Sequence, residues 1–464
     1  MTRFGTAGIR GPVGETVTPS LALAVGQAAG EPGLEFVIGR DGRETGDALA
    51  SALEAGLLSA GAAVERIGTV PTPGLAFASR GRHGVMITAS HNPPADNGIK
   101  LFVDGVEYDR AAEEAIEAGV TGETKQTAPW DEWGTNRQGS VLGTYRSAVA
   151  DYIRTQFGDG DDQPLADCSV AVDCGSGVGA LATPQVLERL GADVVAINAS
   201  VDGHFPARPS KPTPETLTEF SAFLEDGSFD LGLAHDGDAD RIVLLDSEGA
   251  VVHEDTVLAI VAGEYVAHSE AADPVVVTTP NASARIDAHV RDAGGRVERV
   301  RLGALHEGIA RVESAATDVD GADADTDVVF AAEPWKHIHT AFGGWIDGVT
   351  SAAVLATLTA RAGSVDALRE PIAERPYRKV SITCPDESKA PAMKSLEDAL
   401  PAAFDGPTVD TAYGIRLEFE DAAWLLVRPS GTEPYVRLYA ESDDVDALVA
   451  EATAVIETAI ADAP

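Results

Sequence analysis

Short apolar runs alternate with alanine-rich stretches of helical periodicity along most of the chain. This alternation predicts an α/β fold in which parallel strands are joined by crossover helices. The order strand, glycine turn, helix and strand occurs three times, at residues 34–68, 169–198 and 273–303. Such recurrence indicates internal repetition of one fold. The carboxyl-terminal segment instead alternates strands before a helix that begins near Val445, which predicts a smaller α+β domain.

Two charged stretches, residues 121–140 and 359–379, interrupt this pattern, and we expect them to be loosely structured. The apolar segment 21–30 follows a Gly- and Pro-rich stretch, so it predicts a helix with an apolar face rather than a signal peptide. No run approaches the ~20 apolar residues that a membrane span requires. A chain of 464 residues is too long for one core, and we expect three or four domains in a soluble protein.

The chain is strongly acidic, with a net charge of −40 from 74 acidic and 34 basic residues. Nucleic acids and anionic membranes need a basic face, so neither is expected as a partner. An acidic surface poor in lysine suits a protein from a salt-loving source. Cys168, Cys174 and Cys384 are an odd number without a CxxC pair, which argues against a disulfide framework or a thiolate metal site. A reducing cytoplasm is the expected compartment.

A serine and a histidine lie side by side in the loop TASHNPP, directly after the apolar strand VMIT. Pro93 and Pro94 prevent a helix and fix the loop. Ser90 and His91 therefore stand at the carboxyl end of a strand, where open α/β sheets bind ligands. The G-x-S-x-G elbow of hydrolases is absent, so acyl transfer is not indicated. From these residues alone, a purely structural loop stays an alternative.

Three aspartates alternate with small residues in the loop HDGDADR between two apolar strands. Asp236, Asp238 and Asp240 would repel one another unless a hard cation joined them. Calcium in an EF-hand is excluded, because Arg241 replaces the required glycine and Ser247 the bidentate glutamate. A solvated acidic turn is the alternative. We favour magnesium, held by few protein oxygens and completed by a phosphate.

A basic, hydroxyl-rich loop occurs near the carboxyl end, in LLVRPSGTEPYVRLYAES. Bidentate guanidinium groups and backbone N–H groups in such a loop can bind a phosphate dianion, and in so acidic a chain the cluster is unusual. A plain turn is the alternative. The candidate ligands of the phosphate are Arg428, Ser430, Gly431, Thr432 and Arg437.

The segment FAAEPWKHIHT places Glu333, Lys336, His337 and His339 around Trp335. Glutamate and histidine can hydrogen-bond to sugar hydroxyls, and an aromatic face can pack on a sugar ring. Zinc is not favoured, because the spacing lacks the helical H-E-x-x-H arrangement.

Together these segments resemble the α-D-phosphohexomutase superfamily, which includes phosphoglucomutase, phosphomannomutase and phosphoglucosamine mutase. FGTAGIRG at residues 4–11 is similar to its amino-terminal signature, TASHNP to its phosphoserine loop, DGDADR to its metal loop and RPSGTEP to its phosphate-binding loop. The resemblance spans almost the whole chain. It implies four domains around a central cleft, the first three sharing a mixed α/β fold. We expect them at residues 1–142, 143–250, 251–368 and 369–464.

In this family a phosphoserine donates its phosphoryl group to the free hydroxyl of a sugar monophosphate. The bisphosphate so formed returns its other phosphate to the serine. The resemblance therefore implies that Ser90 carries the phosphoryl group and that Lys100 is a general acid or base, while His91 either assists or only orients. It also implies a Mg²⁺ ion held by Ser90, Asp236, Asp238 and Asp240.

The resemblance further implies three groups of binding residues. Positive charge at the transferring group comes from Arg10, Lys100 and Arg241. The idle phosphate is held by Arg428, Ser430, Gly431, Thr432 and Arg437. Sugar hydroxyls are bound by Glu333 and His337. A sugar bisphosphate is the implied activator, a sugar phosphate the implied partner, and a monomer or homodimer the expected assembly.

The sugar loop departs from the family pattern G-E-x-S-G-H. The glutamate and histidine keep their places, but Trp335 replaces the serine and Lys336 the glycine. In a related region, RLGALHEG, Gly303 is kept. We predict an isomerase that interconverts the 1- and 6-phosphates of glucose, mannose or glucosamine. A phosphopentomutase, a phosphatase and a silent sugar-phosphate sensor are the alternatives.

Overall fold

The structure is a computed structural model that describes residues 8–122, 127–158, 160–317, 326–420, 423–430 and 433–463. The chain divides into two compact units. The first comprises Met1–Glu254 and Trp335–Arg369, and the second comprises Asp255–Pro334 and Glu370–Pro464.

The first sheet belongs to the first unit and has the strand order β1-β5-β4-β2-β3-β7, with β6 paired to β5. Its strands are β1 (Ile9–Pro12), β2 (Glu35–Arg40), β3 (Ala63–Thr69), β4 (His83–Ile87), β5 (Asp96–Val103), β6 (Val106–Glu107) and β7 (Asn136–Gln138). The accompanying helices are α1 (Pro19–Ala29), α2 (Gly46–Ser59), α3 (Thr72–Ala78), α4 (Arg110–Thr121) and α5 (Leu142–Gln156).

Strand pairing in this sheet places two basic residues beside the loop that follows β4. Strands β2, β3, β4 and β7 run parallel, whereas β5 is antiparallel to both β4 and β1. In this register Arg10 on β1 faces Gly98, and Lys100 on β5 faces Met86 on β4. The carboxyl end of β4 is therefore flanked by the strand that carries Lys100.

The second sheet, also in the first unit, has the order β11-β10-β8-β9. Its strands are β8 (Ser169–Asp173), β9 (Asp193–Ile197), β10 (Leu231–His235) and β11 (Ile242–Leu245). A 3₁₀ turn (Val178–Leu181) precedes α6 (Thr183–Arg189), and α7 (Thr218–Glu225) precedes β10. Leu217 and Phe220 pack with Ala171 and Ala234 to form the core on one face.

The second unit contains two sets of paired strands, of which the first surrounds β12. Strand β12 (Asp273–Thr278) pairs in parallel with β13 (Arg296–Arg299) and β14 (Thr326–Glu333). Their helices are α8 (Glu254–Ala267), α9 (Ala284–Asp292) and α10 (Leu305–Thr317).

The chain then returns to the first unit. This return segment contains β15 (Lys336–Ile338), α11 (Gly348–Ala362) and α12 (Val365–Arg369). Asp347 caps α11, because its side chain accepts from the Thr350 N–H. The same buried carboxylate also accepts from the Tyr145 hydroxyl on α5 and the Trp345 indole. These bonds satisfy a charge that would otherwise be costly to bury.

The carboxyl-terminal sheet is antiparallel, with the order β16-β20-β19-β18-β17. Its strands are β16 (Tyr377–Thr383), β17 (Thr408–Asp410), β18 (Ile415–Glu418), β19 (Trp424–Pro429) and β20 (Tyr435–Glu441), and its helices are α13 (Asp386–Ala402) and α14 (Val445–Ala461). Leu396, Leu425, Leu438 and Ile456 lie in its core. The predicted α+β character of this segment and its terminal helix from Val445 are confirmed.

A buried carboxylate joins this sheet to α9 within the second unit. Glu441 on β20 is 2.5 Å from Arg285 Nη2 and accepts from Trp424 Nε1 at 2.8 Å. The Ser283 hydroxyl, at the amino-terminal cap of α9, also donates to it. A buried charge that is paired and hydrogen-bonded in this way is costly to disrupt from either side.

The three predicted repeats are confirmed, since β2/β3, β8/β9 and β12/β13 are parallel pairs with a helix between their strands. Segment 21–30 lies almost entirely in α1, as expected. The loose structure predicted for residues 359–379 is wrong for much of the stretch, because the end of α11, all of α12 and the start of β16 occupy it, whereas residues 370–376 lie outside helices and strands. Buried Thr359 and Val365 explain the order there. In the other stretch, residues 136–138 form β7, and residues 123–126 lie outside the described residues.

No helix in the described part of the chain combines the length and apolar character needed to cross a membrane.

Helices α1 and α2 touch through glycines, so their backbones lie unusually close. A Cβ atom on Gly26 would lie 2.3 Å from the Leu53 carbonyl oxygen, and one on Gly56 would lie 2.3 Å from the Leu23 carbonyl oxygen. Neither neighbour is a flexible side-chain end. Backbone must therefore move to admit any side chain at these positions.

We expect Gly56→Ala to destabilise the first unit by about 1–3 kcal/mol, because the added methyl group overpacks the contact between the helices. Gly143→Ala is the matched control, since nothing lies within 4 Å of a Cβ there. It should be neutral or stabilising by about 0.5–1 kcal/mol. Hydrogen exchange of α1 and α2 amides measures both changes. Equal protection in the two variants would contradict the close approach.

Candidate active site

The loop after β4 holds Ser90 in a strained and fully buried conformation. Its φ is +50°, in the left-handed region that residues with side chains rarely adopt. Its backbone N–H donates to Thr88 Oγ1 at 2.8 Å, and its side chain is inaccessible to solvent. Strain of this kind persists only where surrounding contacts determine the geometry.

Arg43 supplies many of those contacts from the end of β2. Its guanidinium donates to the carbonyl oxygens of Ser90 and Asn92, both at 2.8 Å, and of Pro93 and Asp96, at 2.6 and 2.8 Å. Its Nε is 3.0 Å from Asp41 Oδ2, and neither charged side chain is exposed. The buried Arg43 guanidinium therefore holds four backbone carbonyl groups of the serine loop in place.

The three aspartates lie in the connection between antiparallel β10 and β11, directly opposite the serine. One carboxylate oxygen from each residue lies within 4.8 Å of the others. The Ser90 hydroxyl donates to Asp236 Oδ2 at 2.8 Å. Asp238 Oδ2 accepts from Thr72 Oγ1 at 2.6 Å, and Asp240 Oδ2 accepts from Lys100 Nζ at 3.1 Å. The structure thus brings the predicted serine and all three predicted carboxylates into one cluster.

The remaining oxygens of this cluster fit a divalent cation. Asp238 Oδ1 and Asp240 Oδ1 are buried and have no hydrogen-bond partner among the described residues. Buried carboxylate oxygens without partners are costly, and hard oxygen ligands are those that Mg²⁺ prefers. The donor set therefore suits magnesium, with Asp236, Asp238 and Asp240 as its ligands.

Four basic residues of the first unit surround the carboxylates. Lys100 Nζ is also 3.7 Å from Asp238 Oδ2, and Lys336 Nζ is 3.6 Å from Asp240 Oδ2. Arg241 Nε is 3.8 Å from oxygens of both Asp236 and Asp240. The fourth is Arg10, whose Nε and Nη2 are buried and without a hydrogen-bond partner in the described structure. Such unsatisfied guanidinium donors are suited to an arriving anion such as a phosphoryl group.

These charges shift the pKa values of the cluster in opposite directions. Burial, together with repulsion from Asp238 and Asp240, raises the pKa of Asp236 well above its ordinary value. Burial also acts to raise the pKa of Asp240, but Lys336 and Lys100 outweigh it and hold that pKa well below the usual range. Burial lowers the pKa of Lys100, yet the carboxylates around it raise the net pKa above its ordinary value. Lys100 is therefore an ammonium ion in this environment.

His91 is neutral and lies at the edge of the cluster. Burial, then repulsion from Arg241 and Arg10, lowers its pKa to about 2. Its Nδ1 is 3.4 Å from Ser90 Oγ, whose single proton is donated to Asp236. The imidazole can therefore only donate to Ser90. This arrangement suits a residue that orients the hydroxyl better than one that removes its proton.

A second histidine, His235, closes the aspartate loop. Its Nδ1 is 2.8 Å from the Arg241 carbonyl oxygen, so this nitrogen carries the proton and donates it. Its Nε2 then accepts from Thr183 Oγ1 at 2.8 Å. Burial lowers the pKa of His235 to about 4, which keeps the ring neutral. The two ends of the loop are joined through this one ring.

Residues of the predicted sugar segment fall in both units. In the first, His337 Nδ1 and His339 Nε2 lie 3.1 and 2.8 Å from Ser351 Oγ, whose proton goes to the Asp347 carbonyl. Both histidines therefore donate to Ser351. In the second unit, Glu333 accepts from the N–H of Gly303, which has a φ of +75°. That bond links the sugar segment to the segment RLGALHEG, which was considered with it in the sequence.

The predicted phosphate loop belongs to the second unit. Arg428 and Arg437 are paired across β19 and β20, and the Nε of each is buried without a hydrogen-bond partner among described residues. Ser430 Oγ accepts from the Glu433 N–H at 3.2 Å, and Lys389 Nζ donates to the Ser430 carbonyl at 2.8 Å.

Two members of the predicted phosphate loop, Gly431 and Thr432, lie outside the described residues.

Sequence reasoning missed several residues that support the serine and the carboxylates. They are Asp41, Arg43, Thr72, Thr88 and Ser210. Ser210 Oγ donates to the Ser90 carbonyl and accepts from the Gly237 N–H, both at 3.0 Å, so it joins the serine loop to the aspartate loop. The signal available for Arg43 was its place just past a buried strand, in GRDGRETG.

A buried serine hydroxyl, a carboxylate cluster suited to Mg²⁺ and unsatisfied guanidinium donors on an α/β scaffold are features that suit phosphoryl transfer. Comparison with known proteins agrees. Models of the phosphoglucomutase/phosphomannomutase family match at residues 1–127 (α/β/α domain I), 148–249 (α/β/α domain II) and 381–458 (C-terminal domain). The chain belongs to this family, whose members are phosphosugar mutases and hence isomerases.

Curated relatives match over nearly their whole length. The phosphopentomutase of Thermococcus kodakarensis is 38% identical over 95% of this chain and 94% of its own. The protein named probable phosphoglucosamine mutase of Methanopyrus kandleri is also 38% identical, with the same coverage.

Solved structures share the fold. A phosphoglucomutase/phosphomannomutase family protein of Burkholderia thailandensis has a TM-score of 0.83 at 25% identity, covering 100% of this chain and 98% of its own. The N-acetylphosphoglucosamine mutase of Aspergillus fumigatus, in complex with GlcNAc-6P and magnesium, has a TM-score of 0.63 at 15% identity, covering 100% and 96%.

We expect Arg43→Met to lower the unfolding free energy by about 3–5 kcal/mol, because Asp41 is left as an unpaired buried charge. Mutase turnover should fall as the serine loop loses its support, whereas Arg43→Lys should recover part of both. Arg66→Met, which removes a partly exposed ion pair between β3 and Glu54 on α2, is the control. Thermal unfolding and turnover are the measurements. An Arg43→Met enzyme as stable and active as the parent would contradict this role.

Proposed function

We propose that the protein interconverts a hexose 1-phosphate and the corresponding 6-phosphate, with glucosamine, glucose or mannose as the sugar. The observation that carries this proposal is the 2.8 Å contact between Ser90 Oγ and Asp236 inside the buried carboxylate cluster. A serine in that position is ready to carry a phosphoryl group over a metal ion. The name of the Methanopyrus relative supports glucosamine among the three sugars.

The proposed reaction has two balanced transfers. In the first, the bond between phosphorus and Ser90 Oγ breaks while a bond forms to the free hydroxyl of the sugar monophosphate, which gives up its proton. In the second, the other phosphate of the sugar bisphosphate passes back to Ser90 Oγ, and the released sugar oxygen takes up a proton. The bisphosphate therefore also serves as the activator of an unphosphorylated enzyme.

Residues of the first unit divide the work of this transfer. A bound magnesium ion supplies electrostatic stabilisation of the transferring phosphoryl oxygens. Arg10 and Arg241 bind the same oxygens through guanidinium donors. Lys100, as an ammonium ion, stabilises the developing charge and can donate a proton to the leaving oxygen. His91 orients the Ser90 hydroxyl.

The loop of the second unit takes the phosphate that is not transferred. We assign this role to Arg428, Ser430 and Arg437, together with Gly431 and Thr432. Support comes from the buried, unsatisfied Nε atoms of the two arginines. Glu333 and His337 bind sugar hydroxyls. The division into four domains at residues 1–142, 143–250, 251–368 and 369–464 around one cleft, the cytoplasmic location and a salt-loving source are parts of the same proposal.

A pentose phosphate is the second candidate substrate. Trp335 and Lys336 fill the recognition segment with larger side chains than the serine and glycine of the family pattern, which favours a smaller sugar. The Thermococcus relative is named a phosphopentomutase and matches along 95% of this chain. This candidate uses the same serine, the same carboxylates and the same two transfers.

Ser90→Ala should abolish interconversion, with turnover reduced at least about 10³-fold, since the hydroxyl that carries the phosphoryl group is removed. Binding of the sugar phosphate should remain, because the arginines and carboxylates are intact. Ser51→Ala, at an exposed serine on α2, is the control. Coupled assays of turnover and calorimetric binding measure the two effects. Unchanged turnover in Ser90→Ala would exclude the phosphoserine mechanism.

A panel of sugar 1-phosphates distinguishes the substrates: glucose, mannose, glucosamine and ribose, each with Mg²⁺ and a trace of the matching bisphosphate in high salt. We expect a hexose to give the highest kcat/KM, and chelation with EDTA to remove activity until Mg²⁺ is restored. Highest kcat/KM for ribose 1-phosphate would select the second candidate. Release of free phosphate in place of isomerised product would reveal a phosphatase instead.

A further inference from the structure

Trp335 and Lys336, two residues that depart from the family pattern, are fixed beside the aspartate loop within the first unit. Trp335 has a φ of +68°, which is strained for so bulky a residue. Its carbonyl oxygen accepts from the Ile242 N–H, at the start of β11, at 3.2 Å. Its ring packs against the core that contains Leu217 and Phe220, with Lys211 Nζ 5.7 Å from the ring centre.

This anchoring aims Lys336 at the reaction centre. The Lys336 side chain is 14% exposed, and its Nζ lies 3.6 Å from Asp240 Oδ2. Lys100 Nζ lies 3.1 Å from the same oxygen. Two ammonium groups therefore share Asp240 Oδ2, while Asp240 Oδ1 is buried, has no hydrogen-bond partner among described residues and lies 3.8 Å from Arg241 Nε. Asp240 is left with one oxygen for a metal ion.

The added lysine also places a further positive charge beside the carboxylates. Lys100, Arg241 and Lys336 lie within ion-pair distance of their oxygens, and Lys100 is shared with Glu107, 3.6 Å away. A glycine in place of Lys336 would remove one of these cations from the buried cluster. The cluster would then attract a divalent cation more strongly, whereas the lysine repels it.

We propose that Lys336 is a positioning residue for phosphoryl transfer: it holds Asp240 Oδ2, directs Oδ1 to the metal and places a cation beside the transferring group, at the cost of weaker metal binding. The proposal rests on the proposed mutase function. It makes the sugar-recognition segment part of the phosphoryl-transfer site, because the same segment carries His337.

Loss of the Lys336 charge should change metal affinity and the rate of phosphoryl transfer in opposite directions. Removal of the charge should tighten metal binding, because a repelling cation is lost and Asp240 Oδ2 becomes more available. It should slow phosphoryl transfer, because a cation beside the developing charge is lost. A residue with a merely structural role would weaken both properties or neither.

The experiment compares Lys336→Met, Lys336→Arg and the parent enzyme. Mn²⁺ binding to the full chain, verified as unphosphorylated by mass spectrometry, is measured by calorimetry without sugar. We expect Lys336→Met to lower the Mn²⁺ dissociation constant about five- to tenfold. With the preferred sugar 1-phosphate as substrate, Lys336→Met should lower kcat about 10- to 100-fold and change KM little. Lys336→Arg should restore both values to within a few-fold.

Lys211→Met is the matched control, because it removes the same charge beside the same tryptophan at a different point, and both readouts should stay within about twofold of the parent. An unchanged or weaker Mn²⁺ affinity in Lys336→Met would overturn the proposal, as would an unchanged kcat. The metal measurement needs no substrate. A parent enzyme that binds Mn²⁺ normally but isomerises no sugar phosphate would therefore contradict the proposed function, not the metal arm of this inference.

Discussion

Mutual repulsion among three buried carboxylates is the constraint on which the first unit depends. Asp236, Asp238 and Asp240 occupy one short connection, and none of them is more than 1% exposed. A loop of this kind is stable only where cations surround it. The fold provides them from separate strands: Lys100 from β5 and Lys336 from β15. The sheet order and the return of the chain through β15 are what make the cluster possible.

In the serine loop, the groups that repel one another are backbone carbonyl oxygens instead of charged side chains. Carbonyl groups that converge on one point repel one another, and a buried guanidinium is the group best able to join them. Arg43 does so for four carbonyls, and Ser210 joins the same loop to the aspartate connection. Ser90 is thereby held at a positive φ with its hydroxyl facing Asp236. The position of this hydroxyl is therefore set by contacts within the protein.

Sequence reasoning found the residues that lie within short motifs and missed residues that reach the site from distant parts of the chain. The aspartate loop and the serine loop are short motifs next to apolar strands, so both stood out in the sequence, although the role of Ser90 came only from the family resemblance. The repeated α/β units and the final α+β domain followed from periodicity. Thr72 and Ser210 carry no such pattern, because their role arises only when the first and second sheets meet.

Tertiary contacts also explain what the sequence did not predict for residues 359–379 and for Lys336. The stretch 359–379 looked loose because its charged residues obscure the buried side of α11 and α12. Lys336 was singled out as a departure from the family pattern, but a sequence cannot show that its ammonium reaches Asp240. Pairwise distances between side chains from separate strands are fixed by tertiary packing, which periodicity does not encode.

Burial of the carboxylate cluster separates its electrostatics from those of the molecular surface. In concentrated electrolyte, mobile ions screen exposed charges over roughly 3 Å at 1 M. A surface pair such as Arg110 and Glu114, each 59% exposed, is open to that screening. Lys100 and Asp240, at 2% and 1%, admit no ionic atmosphere between them. The exterior of this protein can therefore change its charge to suit a new medium while the field inside the carboxylate cluster is little altered.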